Sequence, residues 1–214
     1  MTPLVELVGA GVSLGGRVIL DSVDFSLGPG QVAGVSGPNG SGKTTLLRAI
    51  ASLTRIDAGD GMLLGADLRS DEVYPVRASV AFIGHIPALI GTLSLAENLR
   101  HVVRLRGGDE ARIRRVLDVV GLGEAVSVRA DSSSFGTQRR LEVARTLLTD
   151  PRLLLLDEAF SGLDSAAQSL VDALIERTVG NGGGVVMVSH DPGHLRDRTD
   201  IQYRIEDGRV VETA

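Results

Sequence analysis

An α/β fold is predicted: a core of parallel strands, an antiparallel β subdomain ahead of it, and an inserted α-helical subdomain. Three observations predict it. A short apolar strand, Gln31 to Ser36, runs into a glycine-rich loop and then a helix. Uninterrupted apolar runs recur at Leu153 to Leu156 and at Val185 to Val188, which is how strands buried on both faces read. Between these, from Ser94 onward, the spacing of apolar residues becomes helical.

Residues Leu4 through Leu27 alternate as two strands around a Gly15-Gly16 turn, since alternation with period two marks a half-buried strand. Thr44 to Ala51 reads as the helix behind the glycine-rich loop, followed by strands at Gly61 to Gly65 and Val80 to Ile83. Ser94 and Glu97 have capping-box spacing ahead of Leu99, Val102 and Val103, so a helix starts there. Asp109 to Val120 is a second periodic helix after the Gly107-Gly108 break. Arg152 to Asp157 is a buried strand, Ser165 to Val179 an amphipathic helix, and Val185 to Ser189 another buried strand behind three glycines. Ile201 to Ile205 and Val210-Val211 flank Asp207-Gly208, a hairpin signal. The expectation is one domain over residues 1–214 with a helical insert at about 94–145.

The 214 residues are 43% apolar, enough for a real core, and carry a net charge of −5 with 3% aromatic residues. Neither a basic field nor stacking surfaces recommend a nucleic-acid partner. The absence of cysteine removes disulfides, zinc-thiolate sites and a thiol nucleophile, and suits a reducing cytoplasm. The start Met-Thr-Pro-Leu-Val-Glu has no secretory pattern, and no apolar run reaches the ~20 residues of a membrane span.

Lys43 is the only lysine among 22 lysines and arginines. It lies in Gly37-Pro38-Asn39-Gly40-Ser41-Gly42-Lys43-Thr44-Thr45, a match to G-x-x-x-x-G-K-[ST]. A compact ammonium on a thin stem fits between β- and γ-phosphates where a guanidinium fork is too wide. The glycines let successive N–H groups face an anion, the helix adds its positive end, and Thr44 offers a hydroxyl to Mg²⁺. A nucleoside triphosphate is the implied ligand. Asp157 and Glu158 end an apolar strand at the edge where open α/β sheets bind ligands. The first carboxylate is placed for the Mg²⁺ at Thr44, and the second for orienting and polarising a water. His190, at the end of the next apolar strand, is placed for a γ-phosphate contact.

Over essentially the whole chain these residues resemble the ATP-binding subunit of ABC transporters, with the phosphate loop, the acidic strand end, Ser161-Gly162-Leu163-Asp164 as D-loop and His190 as switch histidine in the family's order. The discriminating stretch is Ser133-Ser134-Phe135-Gly136-Thr137-Gln138-Arg139-Arg140-Leu141-Glu142-Val143-Ala144-Arg145, which looks like the signature. The resemblance implies ATP and Mg²⁺ as cofactors, ATP hydrolysis, and head-to-tail pairing with a second ATP-binding domain, identical or related. In such a pair Ser134 and Gly136 close over the partner's ATP beside Asp164. It also implies a transmembrane permease partner and a place on the inner face of the cell membrane.

Five positions depart from the family pattern, four of them in the signature and at the adenine: Ser133, Phe135 and Thr137 replace the usual Leu, Gly and Gln of the signature, and Leu14 stands where an aromatic residue normally stacks on adenine. Adenine contact would then come from Leu14 and Val18, with weaker discrimination between bases. His85 occupies the position of the family's Q-loop glutamine, which senses Mg²⁺ and the attacking water. With Pro87 and Ser94 to Leu99 it resembles more narrowly the ATP-binding subunit of the haem exporter of cytochrome c maturation. The apolar run Ile86 to Ile90 matches the segment that receives the permease's coupling helix. Two other readings remain open: a regulatory half of an asymmetric dimer, weakened by Phe135 and Thr137, and a non-transport ABC ATPase.

Overall fold

The computed structural model describes residues 2–190 and 192–213. In chain order the strands are β1 (Val5–Leu14), β2 (Arg17–Leu27), β3 (Val32–Ser36), β4 (Ala58–Leu63), β5 (Ala66–Asp67), β6 (Val80–Ile83), β7 (Leu153–Asp157), β8 (Gly184–Val188), β9 (Ile201–Glu206) and β10 (Arg209–Thr213). The helices are α1 (Lys43–Ile50), α2 (Val73–Val76), α3 (Leu95–Leu105), α4 (Ala111–Val119), α5 (Phe135–Thr149), α6 (Ser165–Gly180) and α7 (Pro192–Arg196).

The chain divides into two compact units. The first comprises residues 1–82, 151–159 and 178–214; the second comprises 83–150 and 160–177. In the first unit, β2-β1-β4-β5 form an antiparallel sheet and β10-β9-β3-β8-β7-β6 form a second sheet. Parallel pairing of β3 with β8 and β9, and of β7 with β8, puts the C-terminal ends of β3, β7 and β8 on one edge. All five residues of β7 and of β8 are buried, as expected for strands covered on both faces. The core joins side chains of both sheets with Leu46, Leu47 and Ile50 of α1.

The turn Gly15-Gly16 and the Asp207-Gly208 hairpin form where the sequence places them, with positive φ at all four residues. The short elements β5, α2 and α7 carry no readable period, and β4 starts three residues before the expected Gly61.

In the second unit, α3 opens with the capping box: the Ser94 hydroxyl accepts the Glu97 N–H and the Glu97 carboxylate accepts the Ser94 N–H. Helix α5 starts at Phe135: Ser134 is the N-cap, and its hydroxyl accepts the Thr137 N–H. Such a hydroxyl satisfies one of the orphan donors of a helix start.

Candidate nucleotide site

The glycine-rich loop leaves the end of β3 and wraps the start of α1. Gly37 has φ 148°, and a Cβ there would come within 2.5 Å of the Ile205 carbonyl oxygen. Gly42, the N-cap of α1, has φ 107°, and its Cβ would meet Leu20 at 2.9 Å. Both positions therefore exclude any side chain. The Lys43 ammonium is almost buried and donates to the carbonyls of Gly37 and Pro38, both at 2.8 Å. The Ser41 hydroxyl is buried without a hydrogen-bond partner. A buried polar atom left unpaired costs free energy unless a ligand serves it, and a loop of this shape aims its N–H groups at an anion.

At the end of β7 the Asp157 carboxylate accepts the Thr44 hydroxyl at 2.8 Å. A hydroxyl and a carboxylate in contact, both hard oxygen donors, are the set a small divalent cation takes alongside phosphate oxygens. Glu158 follows with φ 55°, a left-handed backbone rare outside glycine, and its N–H donates to the Val188 carbonyl oxygen. That turn carries the side chain to His190, whose Nδ1 lies 2.7 Å from a Glu158 carboxylate oxygen. Sheet pairing thus brings Lys43, Thr44, Asp157, Glu158 and His190, up to 147 positions apart, onto one edge of one unit.

Beside the loop lies a cavity of about 340 Å³ lined by Val18, Ile19, Asp21, Pro38, Asn39, Gly40, Ser41 and the Asp207-Gly208 turn. Val18 lines it and Leu14 does not; Leu14 sits at the end of β1, paired with Arg17 and half exposed. Asp207 and Asp21 were not anticipated. The Asp-Gly hairpin was legible, but its position against the loop follows from β9 lying next to β3.

The second unit holds Ser134, Gly136, Asp164 and His85. Ser134 is exposed, with its hydroxyl 3.0 Å from that of Thr137, and a Cβ on Gly136 would meet nothing within 4 Å. The Phe135 ring turns back beneath the Arg139 guanidinium, 5.5 Å from its centroid. Asp164 caps α6, accepting the Ala167 N–H at 2.7 Å, and takes the Arg140 guanidinium at 3.2 Å. The Ala167 N–H first, then Arg140, hold its carboxyl below the usual aspartate value. His85 is exposed, and its backbone carbonyl accepts from Arg139 at 3.1 Å.

Arg139, Glu142 and Arg145, three apart along α5, were not read as functional. Charges at that spacing beside Leu141, Val143 and Ala144 were the available signal, since a solvated face would not share a helix with so many buried neighbours. Among the described residues no group of three His, Cys, Asp or Glu forms a further metal site, and no helix is long and apolar enough to cross a membrane.

The chain is 36% identical over 215 residues to the Fe(3+) ions import ATP-binding protein FbpC of Streptomyces avermitilis, covering 98% of this chain and 62% of that one. It thus spans less than two thirds of that relative's length. It is 40% identical over 178 residues to the cytochrome c biogenesis ATP-binding export protein CcmA of Methylococcus capsulatus, 82% of this chain and 86% of the relative. A solved structure described as a dimeric post-hydrolysis state of an ATP-binding cassette bound to ADP and Pi superposes with a TM-score of 0.86 at 26% identity, over 98% of this chain and 97% of that chain. Residues 20–161 match the family described as ABC transporter, and the chain belongs to it as an ATP-binding cassette.

Proposed function

We propose that the chain is the ATP-hydrolysing subunit of an ABC membrane transporter, working as one of a pair of ATP-binding domains beneath transmembrane permease subunits on the inner face of the cell membrane. The observation that carries this reading is the single edge on which Lys43, the Thr44–Asp157 contact and the Glu158–His190 pair converge.

ATP enters with its phosphates in the loop of Gly37 to Thr45, where the Lys43 ammonium exchanges its two carbonyl partners for β- and γ-phosphate oxygens. Thr44 and Asp157 would hold Mg²⁺, which offsets charge on the phosphates as the bond breaks. Glu158 orients a water and takes its proton. The water oxygen bonds to the γ-phosphorus, and the bond to the β–γ bridging oxygen breaks to leave ADP and phosphate. His190 holds the Glu158 carboxylate and faces the γ-phosphate. Ser134 and Gly136 complete the site of the opposite domain at an unobstructed helix start, and His85 takes the Q-loop position. The base lies in the cavity of Val18 and Ile19, which Leu14 does not line.

The exposed apolar loop at Ile86 to Ile90, with Ile86 78% exposed, favours a protein partner, for which the permease's coupling helix is the candidate. Cargo follows the permease: the iron-import and cytochrome c relatives differ in what their names say they serve. A regulatory half-site would keep ATP binding and lack turnover. Steady-state phosphate release by the purified chain, alone and with its co-purifying membrane subunits, tests the proposal. Glu158→Gln should lower kcat by about 10²–10⁴-fold with ATP still bound; equal rates for both proteins would refute it.

A further inference from the structure

Within the second unit, α5 buries an ion pair and aims it at a backbone. Arg139 is 1% and Glu142 0% exposed, and their side chains meet at 2.5 Å. The other Glu142 oxygen accepts the Ala88 N–H at 3.1 Å. The Arg139 fork reaches the His85 carbonyl at 3.1 Å, and Arg145, 3.6 Å from Glu142, donates to the Ala88 carbonyl at 2.6 Å. Three side chains on one helix face thus satisfy three backbone groups of a four-residue segment. Burial drives the Glu142 carboxyl up and the Arg139 guanidinium down, each opposed by its partner, so the arrangement is costly for packing alone; apolar residues would fill the space at least as stably. The segment it grips is otherwise weakly anchored, with His85, Ile86 and Ala88 all exposed.

We propose that Arg139, Glu142 and Arg145 are positioning residues: a clamp that fixes the His85–Ala88 backbone to α5, so that this loop and the Ser134–Gly136 start of the same helix move as one piece. Phe135 belongs to the device, because its ring packs against the Arg139 guanidinium where the family's usual glycine offers no surface. The inference rests on the proposed ATP-driven pairing. A ligand gripped at the helix start would reposition the loop through the clamp, and a partner pressing on the loop would reposition the helix start. Coupling of two sites needs such an element whose position both bias.

The test is hydrogen exchange of the full chain in the Glu158→Gln background, with and without Mg-ATP, reading peptides over 83–90 and 133–138. Two clamp variants are compared: Arg145→Gln, and the paired Arg139→Met/Glu142→Leu, which removes the grip without stranding a buried charge. With the clamp intact, ATP should slow exchange in both windows. In both variants the 133–138 response should persist, while the 83–90 response falls by at least about threefold. In the Glu158-bearing proteins the variants should keep KM for ATP within about twofold while kcat falls. Responses of unchanged size in both windows of a folded variant would overturn the clamp alone. No response to ATP in either window of the clamp-intact comparison protein, Glu158→Gln by itself, would overturn the clamp together with the proposed function.

Discussion

Strand β7 runs through Leu153 to Leu156 with nothing polar until Asp157, whereas helix α5 carries Arg139, Glu142 and Thr146 into the interior of its unit. In the first unit the main core cluster holds apolar side chains and Tyr203 but no charged group, and its reactive groups hang from the ends of strands and the start of α1. In the second, charge lies inside the packing itself. The difference teaches that substitution should dissociate function from stability in one unit and not in the other. A group at the tip of a buried strand can be removed without opening the core, while a charge inside the core leaves its partner stranded.

The largest effect expected of that contrast is at Lys43. Lys43→Ala should lower ATP affinity by more than about 100-fold, since the ammonium is the one cation of the loop and charge-assisted bonds to phosphate are among the strongest polar contacts. The fold should barely notice: two hydrogen bonds to Gly37 and Pro38 are lost, worth about 1 kcal/mol each. Calorimetric titration with Mg-ATP beside thermal unfolding reads both. Retained affinity with a melting point lowered by about 10 °C or more would reverse the assignment and make Lys43 structural.

Next comes Glu142. Glu142→Ala should cost about 3–5 kcal/mol, because Arg139 remains buried without its partner. Adding Arg139→Met should recover most of that loss. Leu155→Ala in β7 should cost about 2–5 kcal/mol and admit no comparable rescue from changing one polar neighbour, since its surroundings are apolar. Urea unfolding of the four proteins measures this; a double variant as unstable as Glu142→Ala would mean that shape at position 142, rather than stranded charge, sets the cost.

These two expectations also mark what the sequence could and could not convey. The meeting of Lys43, Asp157 and Glu158 at one sheet edge was legible because the loop motif fixes the spacing around Lys43 and apolar strands run out into the other two. The parallel core, the Gly15-Gly16 turn and the Ser94–Glu97 capping box were legible from period and local side-chain chemistry. The clamp was not, since its partners are backbone groups 54 and 57 positions away in the chain, and spacing carries no record of which carbonyl a guanidinium meets. Asp207 in the cavity beside the glycine-rich loop was hidden for a similar reason: its place depends on β9 lying beside β3, a pairing of distant segments.

A smaller effect is expected in the cavity proposed for the base. No aromatic residue lines it, and Val18 and Ile19 supply its apolar wall. A ring stack contributes about 1 kcal/mol beyond area burial, so kcat/KM for GTP should lie within about tenfold of that for ATP. Placing an aromatic residue by Val18→Tyr should tighten binding of both nucleotides by a similar factor. A preference for ATP of more than about a hundredfold in the unaltered chain would mean that polar groups such as Asp207 or Asn39 read the base edge.

The smallest effect separates two ways of holding one carboxylate. Asp164 is exposed, and its carboxyl is held below the usual value chiefly by the Ala167 N–H and secondarily by Arg140. Because the folded-state value is depressed, ionised Asp164 stabilises the folded chain above the ordinary aspartate value near 3.8, and that contribution is lost as pH falls through the depressed folded value. Near neutral pH the contribution is fully present. A carbon-detected NMR titration of Asp164 should therefore show a midpoint below 3.8, and Arg140→Gln should raise it only part of the way back, since the cap from Ala167 remains. Full return to the ordinary value in Arg140→Gln would show that the ion pair rather than the helix start holds the charge. Asp164 would then report on the orientation of α5 through Arg140, linking it to the same helix that carries the buried pair.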